Sequence, residues 1–557
     1  MNNKYKALLA TALVSPMLLT TSCIEEVLPT NGVVQEQLQG NLKATEALLW
    51  AMPAHYNQIG TITTSAHYDW GQGAIMHARD VMTDDMSIMY SGYNHFATWC
   101  EAGIGLNDGY MAAQFIWNFQ TEQVLTTNKV VAAIDADTPD PDLQSYLGAG
   151  LVFRASTYLD MARMYEFLPN ENVSSINRYN NNVEGLTVPI VTEQTTEEQA
   201  RNNPRAPHDE MVKFILGDLQ KAEALLKKGS ARTSKTVPDL AVCYGVMARL
   251  YLWDATYHEM GYAHAGIGNA ADLYNQAAYY ADLAITTSNA TPTTQEEWLN
   301  PTTGFNQLST SSWMWGMQYT DEDNAVASGL LNWTAWMSNE AEFGYAIAGP
   351  YVMIGASTYR RINDRDFRKL SYIAPSGSSL SGRETLIDPD QREDIPEYAS
   401  LKFRPGSGNL TDNNVACVVG IPLMRVEEMY FIKAEALAHN NPAEGLNTCS
   451  DFMKRYRYAT YSSNATTVDE VVDEIVFQKR VELWGEGLSY FDYKRLNMGV
   501  DRTYAGTNFN WGADTYKITG RPYWMNFVIS QQETDSNRAI QEFNNPNCGE
   551  RLKPEAK

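Results

Sequence analysis

Apolar residues recur every three or four positions along most of this chain, a spacing that predicts helices. Leu42 to Tyr56, Leu106 to Leu125 and Leu143 to Phe167 all follow it. In the third run Leu147, Leu151, Tyr158, Leu159, Ala162 and Tyr165 share one side, while Arg154, Asp160 and Arg163 take others. Pro169 ends that run. A further amphipathic helix begins after Asp209 with Met211, Phe214, Ile215, Leu219 and Ala222. Helical spacing returns at Met424 to Ala438 and at Val468 to Trp484.

Two stretches read as helix–turn–helix repeats. From Leu240 to Ile285, the first helix carries Tyr244, Gly245, Ala248 and Tyr251, and the second Tyr274, Ala277, Tyr280, Ala281 and Ala284. Small residues at fixed spacing let paired helices approach, and aromatics fill the groove to the next pair. That is the logic of the tetratricopeptide repeat. A second pair spans Arg425 to Arg455, with Pro442 between its helices. The expected fold is mainly α: a tetratricopeptide-like superhelix with a large loop-rich region and little β structure.

Between about residues 287 and 420 the pattern changes. Gly, Ser, Thr, Asn and Pro become frequent, tryptophans cluster and helical periodicity fades. So long an irregular stretch points to binding rather than linkage, and it is too aromatic for disorder.

The N-terminus carries an address. Lys4 and Lys6 precede an apolar run from Ala7 to Leu19, too short to span a bilayer as a finished helix, which needs about 20 apolar residues. Residues 1–22 therefore read as a signal peptide. Cys23 follows Ser22 as lipoprotein processing requires, although Thr20 stands where a lipobox usually has Leu; an ordinary signal peptide is the alternative. Residues 23–40 are read as a lipidated tether carrying palmitate-type chains, and 41–557 as one body, helical over about 41–286 and 423–490 and loop-rich over 287–420.

Charge and cysteine narrow the function. A net charge of −24 argues against nucleic acid, because nothing would neutralise a row of phosphates. Cys100, Cys243, Cys417, Cys449 and Cys548 show no zinc spacing. Cys243 and Cys449 read as small buried residues, with a single disulfide left open. His55, His67, His77 and His95 match no ligand pattern, so no metal is expected there. Asp135, Asp137, Asp140 and Asp142 alternate as calcium loops do, but without the Gly and closing Glu of an EF-hand, and a helix-capping role fits better. No cofactor is expected. Nor is an enzyme: GxSxG, HExxH, phosphate-cradling and dinucleotide fingerprints are all missing from the sequence.

The C-terminal third has a specific likeness. Leu423-Met424-Arg425-Val426-Glu427-Glu428-Met429-Tyr430 runs into Lys433-Ala434-Glu435-Ala436. Lys479-Arg480-Val481-Glu482-Leu483-Trp484-Gly485-Glu486-Gly487 and Tyr490-Phe491-Asp492-Tyr493-Lys494-Arg495 follow. With Asp364-Arg365-Asp366-Phe367-Arg368, Lys402-Phe403 and Phe527-Val528-Ile529-Ser530 (where Pro is commoner than Ser530), these blocks resemble the SusD/RagB-like family of outer-membrane lipoproteins of Bacteroidota. The resemblance implies a non-catalytic protein on the extracellular face of the outer membrane, lipid-anchored through Cys23. It would capture oligosaccharides and act as the lid of a SusC-like TonB-dependent transporter. A peptide ligand or a pure scaffold are the alternatives.

A sugar site needs flat aromatic faces for the CH side of the ring and a few polar groups to orient it. Three loop clusters qualify: Tyr90, Tyr93 and Trp99; Trp313, Trp315 and Tyr319; and Trp333 with Trp336. Arg480, Glu482, Glu486, Asp492, Lys494 and Arg495 alternate in sign around Trp484 and Phe491, and read instead as ion pairs that hold the fold.

Overall fold

The computed structural model describes residues 42–60, 69–89, 107–262, 269–509 and 515–547. Its principal helices are α1 (Leu42–His55), α2 (Gly71–Val81), α3 (Met111–Ala133), α4 (Pro141–Tyr165), α5 (His208–Leu226), α6 (Leu240–Glu259) and α7 (Ala270–Ser288). After the mid-chain region come α8 (Trp333–Met337), α9 (Val426–Asn440), α10 (Pro442–Tyr456), α11 (Val468–Glu482) and α12 (Ser489–Arg495). Among the described residues no helix is long and apolar enough to cross a membrane. The helical-repeat fold expected from the sequence is the fold observed.

Small residues set how closely the helices approach. Ala277, Ala281 and Ala284 of α7 are fully buried, and Tyr280 stacks on Tyr251 of α6 with ring centres 5.5 Å apart. In the α9/α10 pair, a Cβ on Gly445 would lie 2.4 Å from the Ala438 Cβ. Asn441 caps α10 by accepting from the Glu444 backbone N–H, and Pro442 opens the helix, where a missing N–H costs nothing. The aspartate loop does what capping predicts: Asp140 accepts from the N–H groups of Asp142 and Leu143, ahead of Pro141. Cys243, Cys417 and Cys449 are buried free thiols.

The strands are short. β1 (Met86–Ile88) pairs antiparallel with β3 (Val352–Ile354), and β2 (Trp313–Gln318) with β4 (Gly420–Arg425). The second ribbon sets Gln318 opposite Gly420, so the two ends of the stretch 319–419 lie side by side. It is nearly buried on both faces, and its register shifts on either side of Trp315.

A buried ionic cluster ties this region to the C-terminal helices. Arg368, Lys402, Arg425 and Arg457 face Asp366, Glu427, Glu482 and Glu486, all of them buried. Four positive groups thus meet four negative ones. Glu482 is the hub: it accepts from Arg457 Nε and Nη2 at 2.7 Å each, from Arg368 at 2.9 Å and from Arg425 at 3.1 Å. Burial alone would raise its pKa, but the three guanidiniums outweigh that and hold the carboxyl well below the usual range. Nearby, Arg480 pairs with Asp85, Asp492 with Lys479 and Arg495, and the Lys494 ammonium donates to the carbonyls of Met164 and Glu166. The C-terminal charges are structural, as their pattern suggested.

Candidate ligand-binding site

Where α1 ends, the chain is pinned from two sides. His55 Nε2 lies 2.8 Å from the Phe119 carbonyl oxygen, with its ring stacked on Phe119 at 4.4 Å. Burial lowers its pKa, which favours the neutral ring. Tyr56 turns inward between Phe153 and Trp315. The next residues, Asn57 and Gln58, are left at the surface end of the turn.

The facing wall begins where β2 runs out. Asp323 accepts from the Thr320 backbone N–H at 2.7 Å and from its hydroxyl at 3.2 Å, closing a tight turn. Asn57 bridges the walls: its Nδ2 donates to the Gln318 carbonyl at 2.5 Å and to Asp323 Oδ2 at 3.3 Å. Between them lies a cleft of about 510 Å³, edged by Gln58, Thr126, Glu322 and Asn324. That size suits a small ligand, for which roughly 300–1,000 Å³ is usual. Asn57 Oδ1 is buried with no protein partner, and a buried acceptor left unpaired costs about 1–3 kcal/mol. The cleft thus offers amide, hydroxyl and carboxylate groups to a polar ligand.

The aromatic clusters fall elsewhere. Trp313, Trp315, Tyr319, Trp333 and Trp336 are all at most 2% exposed, so none of them presents a ring face to solvent. Their burial corrects the expectation of open, loop-borne faces. Trp313 and Trp315 sit in β2 with its bulge, not on an open strand face. Trp315 donates to the Thr236 carbonyl at 3.2 Å and packs against Phe153 and Tyr56. Trp336 stacks on Trp70 at 4.8 Å and meets Trp333 edge-on. The physical reason is area: a buried aromatic removes 150–250 Å² from water, and a region lacking helical stripes finds its core in its tryptophans. Trp315, by packing on Tyr56, backs the wall that carries Asn57. Tyr90, Tyr93 and Trp99 lie outside the described residues, as does Cys23. The acidic and basic pairs before that first cluster are anchors: Arg79 binds Asp160, the Gly487 N–H donates to Asp80, and Asp85 holds Arg480.

Asn57 and Asp323 carry no motif in the sequence. The available signal was weak: polar residues immediately after an amphipathic helix, and a Thr-Asp turn after a strand.

A model of the SusD family matches residues 376–547, and one described as "Starch-binding associating with outer membrane" matches residues 47–252. The chain belongs to the SusD/RagB-like family. Solved structures agree in fold. A SusD-like carbohydrate binding protein from Bacteroides vulgatus is 21% identical, with a TM-score of 0.69 over 90% of this chain and 98% of that one. A SusD superfamily protein from Bacteroides thetaiotaomicron is 17% identical, with a TM-score of 0.64 over 91% of this chain and 100% of that one. Surface glycan-binding protein A from Bacteroides uniformis is 16% identical, with a TM-score of 0.62 over 91% and 99%. No curated protein matches the chain. In this SusD-like chain the Asn57 wall falls inside the first matched segment, whereas Glu322 to Asn324 fall between the two.

Proposed function

We propose that this SusD-like protein is a cell-surface lipoprotein that binds oligosaccharide without altering it and passes it to a SusC-like TonB-dependent transporter, for which it acts as the lid. The observation that carries the reading is the match of residues 47–252 to a family described as starch-binding and associating with the outer membrane. The cleft supports it, since Asn57, Gln58, Asp323 and Asn324 suit a ligand rich in hydroxyls. On this reading Tyr90, Tyr93 and Trp99 supply the flat faces, and Cys23 carries the lipid that tethers the body to the outer leaflet.

Calorimetry against neutral oligosaccharides and a mixed peptide digest tests the ligand class. Saccharide binding that falls about tenfold in Asn57→Ala and Asp323→Ala, worth about 1.4 kcal/mol for one lost hydrogen-bonding group, is the expected result. Binding of peptides alone refutes it. Replacing Cys23 by Ala is expected to move the protein from the membrane fraction to the soluble one while leaving saccharide affinity intact. Unchanged fractionation overturns the anchor.

A further inference from the structure

One tryptophan breaks the rule that the others keep. Trp50 on α1 is 37% exposed, whereas every other described tryptophan is at most 3% exposed. Helix α1 sends Thr45, Leu49 and Met52 into the body at three- and four-residue steps, Tyr56 just past its end continues the stripe, and Trp50 stands one step off it. A lone exposed apolar residue needs no explanation. Trp50, however, lines a cleft of about 670 Å³ formed by α1, the first turn of α4, the end of α5, the 229–239 loop and the end of α7.

The walls of this cleft are held in place. Ser145 Oγ donates to the Ser230 carbonyl at 2.7 Å, and the Ser230 N–H donates to the Pro141 carbonyl at 3.0 Å, strapping the loop onto α4. The approach is so close that a Cβ on Gly229 would lie 2.4 Å from Ser145 Oγ. Arg232, which also lines the cleft, is fixed by Asp239 at 3.0 Å and by the Val237 carbonyl at 3.1 Å. Half-buried Tyr146 adds a second ring. Its burial and the nearby carboxylates of Glu46, Asp142 and Asp140 raise its pKa, so its hydroxyl stays protonated as a donor.

The chemistry is specific in kind. Two rings offer apolar faces; Glu46 and Asp142 offer acceptors; Tyr146 and Arg232 offer donors. A pyranose has this mixed character, with a CH face for the indole and equatorial hydroxyls for the fringe. Since Arg232 is matched by Asp239, Glu46 and Asp142 leave the cleft negative, which repels uronate and sulfated sugars. From this geometry we infer a second saccharide site at Trp50, selective for neutral sugars and separate from the Asn57/Asp323 cleft. For its ligand class the inference rests on the function proposed above.

The test is calorimetry on the full mature chain with maltoheptaose, xyloheptaose and mannoheptaose, and with an oligogalacturonate as the charged probe. Wild type is expected to bind a neutral probe at two sites. Trp50→Ala should lose one, with at least a tenfold fall in that affinity, while Asn57→Ala/Asp323→Ala keeps it. Tyr146→Phe, which spares the ring, should weaken the same site several-fold. Trp50 is half out of the core, so its variant should retain the wild-type unfolding midpoint. Neutral-probe binding that ignores Trp50→Ala, or that vanishes entirely in Asn57→Ala/Asp323→Ala, overturns this site and leaves the proposed function standing. Equal or tighter binding of the oligogalacturonate at Trp50 overturns its selectivity. A wild type that binds none of the probes overturns both readings.

Discussion

Replacing Glu482 by Gln probes what holds the mid-chain region to the helical repeats. The carboxylate accepts four hydrogen bonds from three guanidiniums at 2.7–3.1 Å, and it is wholly buried. Glutamine keeps the shape but has one acceptor oxygen, and its NH₂ group would meet donors. The cluster would also pass from four against four charges to one excess positive charge in a dry interior. Breaking a buried pair by removing one partner costs about 3–5 kcal/mol, since the other charge is left uncompensated. With unfolding entropy near 2.1 cal/mol/K per residue, a body of about 500 residues that melts as one has roughly 1 kcal/mol/K, so Tm should fall about 3–5 °C. Scanning calorimetry reads this directly. The double variant Glu482→Gln/Arg457→Gln restores neutrality and should recover part of the loss, giving a coupling of about 1 kcal/mol or more. A Tm within about 1 °C of wild type for Glu482→Gln, with no coupling to Arg457, would refute the reasoning.

Other outcomes follow from the same structure. His208 lies between Glu166 at 2.7 Å and Asp254 at 3.2 Å; burial works against its protonation, but the two carboxylates win and push its pKa up to about 9. A raised folded pKa means that its stabilisation is complete below pH 6.5 and is lost as pH rises through 9. About 3 kcal/mol should therefore separate wild type from His208→Gln in the acid limb and fade in the alkaline limb, read as urea midpoints; a pH-independent gap rules this out. Gly445→Ala gains about 1 kcal/mol of helix propensity but sets a methyl carbon 2.4 Å from the Ala438 Cβ and 2.6 Å from the Ala434 carbonyl oxygen, so overpacking of about 1–3 kcal/mol should prevail. A raised denaturation midpoint would contradict that. Trp336→Ala should cost about 3–5 kcal/mol of stability, because its ring stacks on Trp70 inside the core; undiminished stability with weakened saccharide binding would return Trp336 to a ligand role.

The helices that present one apolar face were the legible part. Periodicity placed α1 and α4 to within two residues and recognised both helix pairs. It ended α3 too early, at Leu125, although the helix runs to Ala133. There Thr126 folds its hydroxyl back onto the Glu122 carbonyl, and Val130 and Ala133 continue the buried stripe, so the run of β-branched residues does not stop it. Helix α2 went unseen because it is buried almost all round: Gly73, His77, Arg79 and Asp80 lie inside as fully as Ile75 does, which erases the contrast on which an amphipathic reading depends. The site was the least legible part. A tryptophan in a Gly- and Asn-rich stretch looks available for a ligand, yet burial is decided by what packs over it. Trp50 shows the reverse: it sits in a helical run and yet stands partly exposed. Its phase relative to Leu49 and Met52 was the signal that pointed outward.

The β2/β4 ribbon makes residues 319–419 an excursion that leaves and rejoins the body at a single doorway. Gln318 and Gly420 are partners across that doorway, and α9 starts directly after the strand that closes it. Lengthening a closed loop is cheap, at about 0.6 kcal/mol per doubling. Insertions in the exposed turn at residues 376–379, beyond the doorway, should therefore leave the register of the helical repeats untouched. Such a layout separates two kinds of change: the framework can stay fixed while the furnishing beyond the doorway, and with it the ligand accepted, is free to drift.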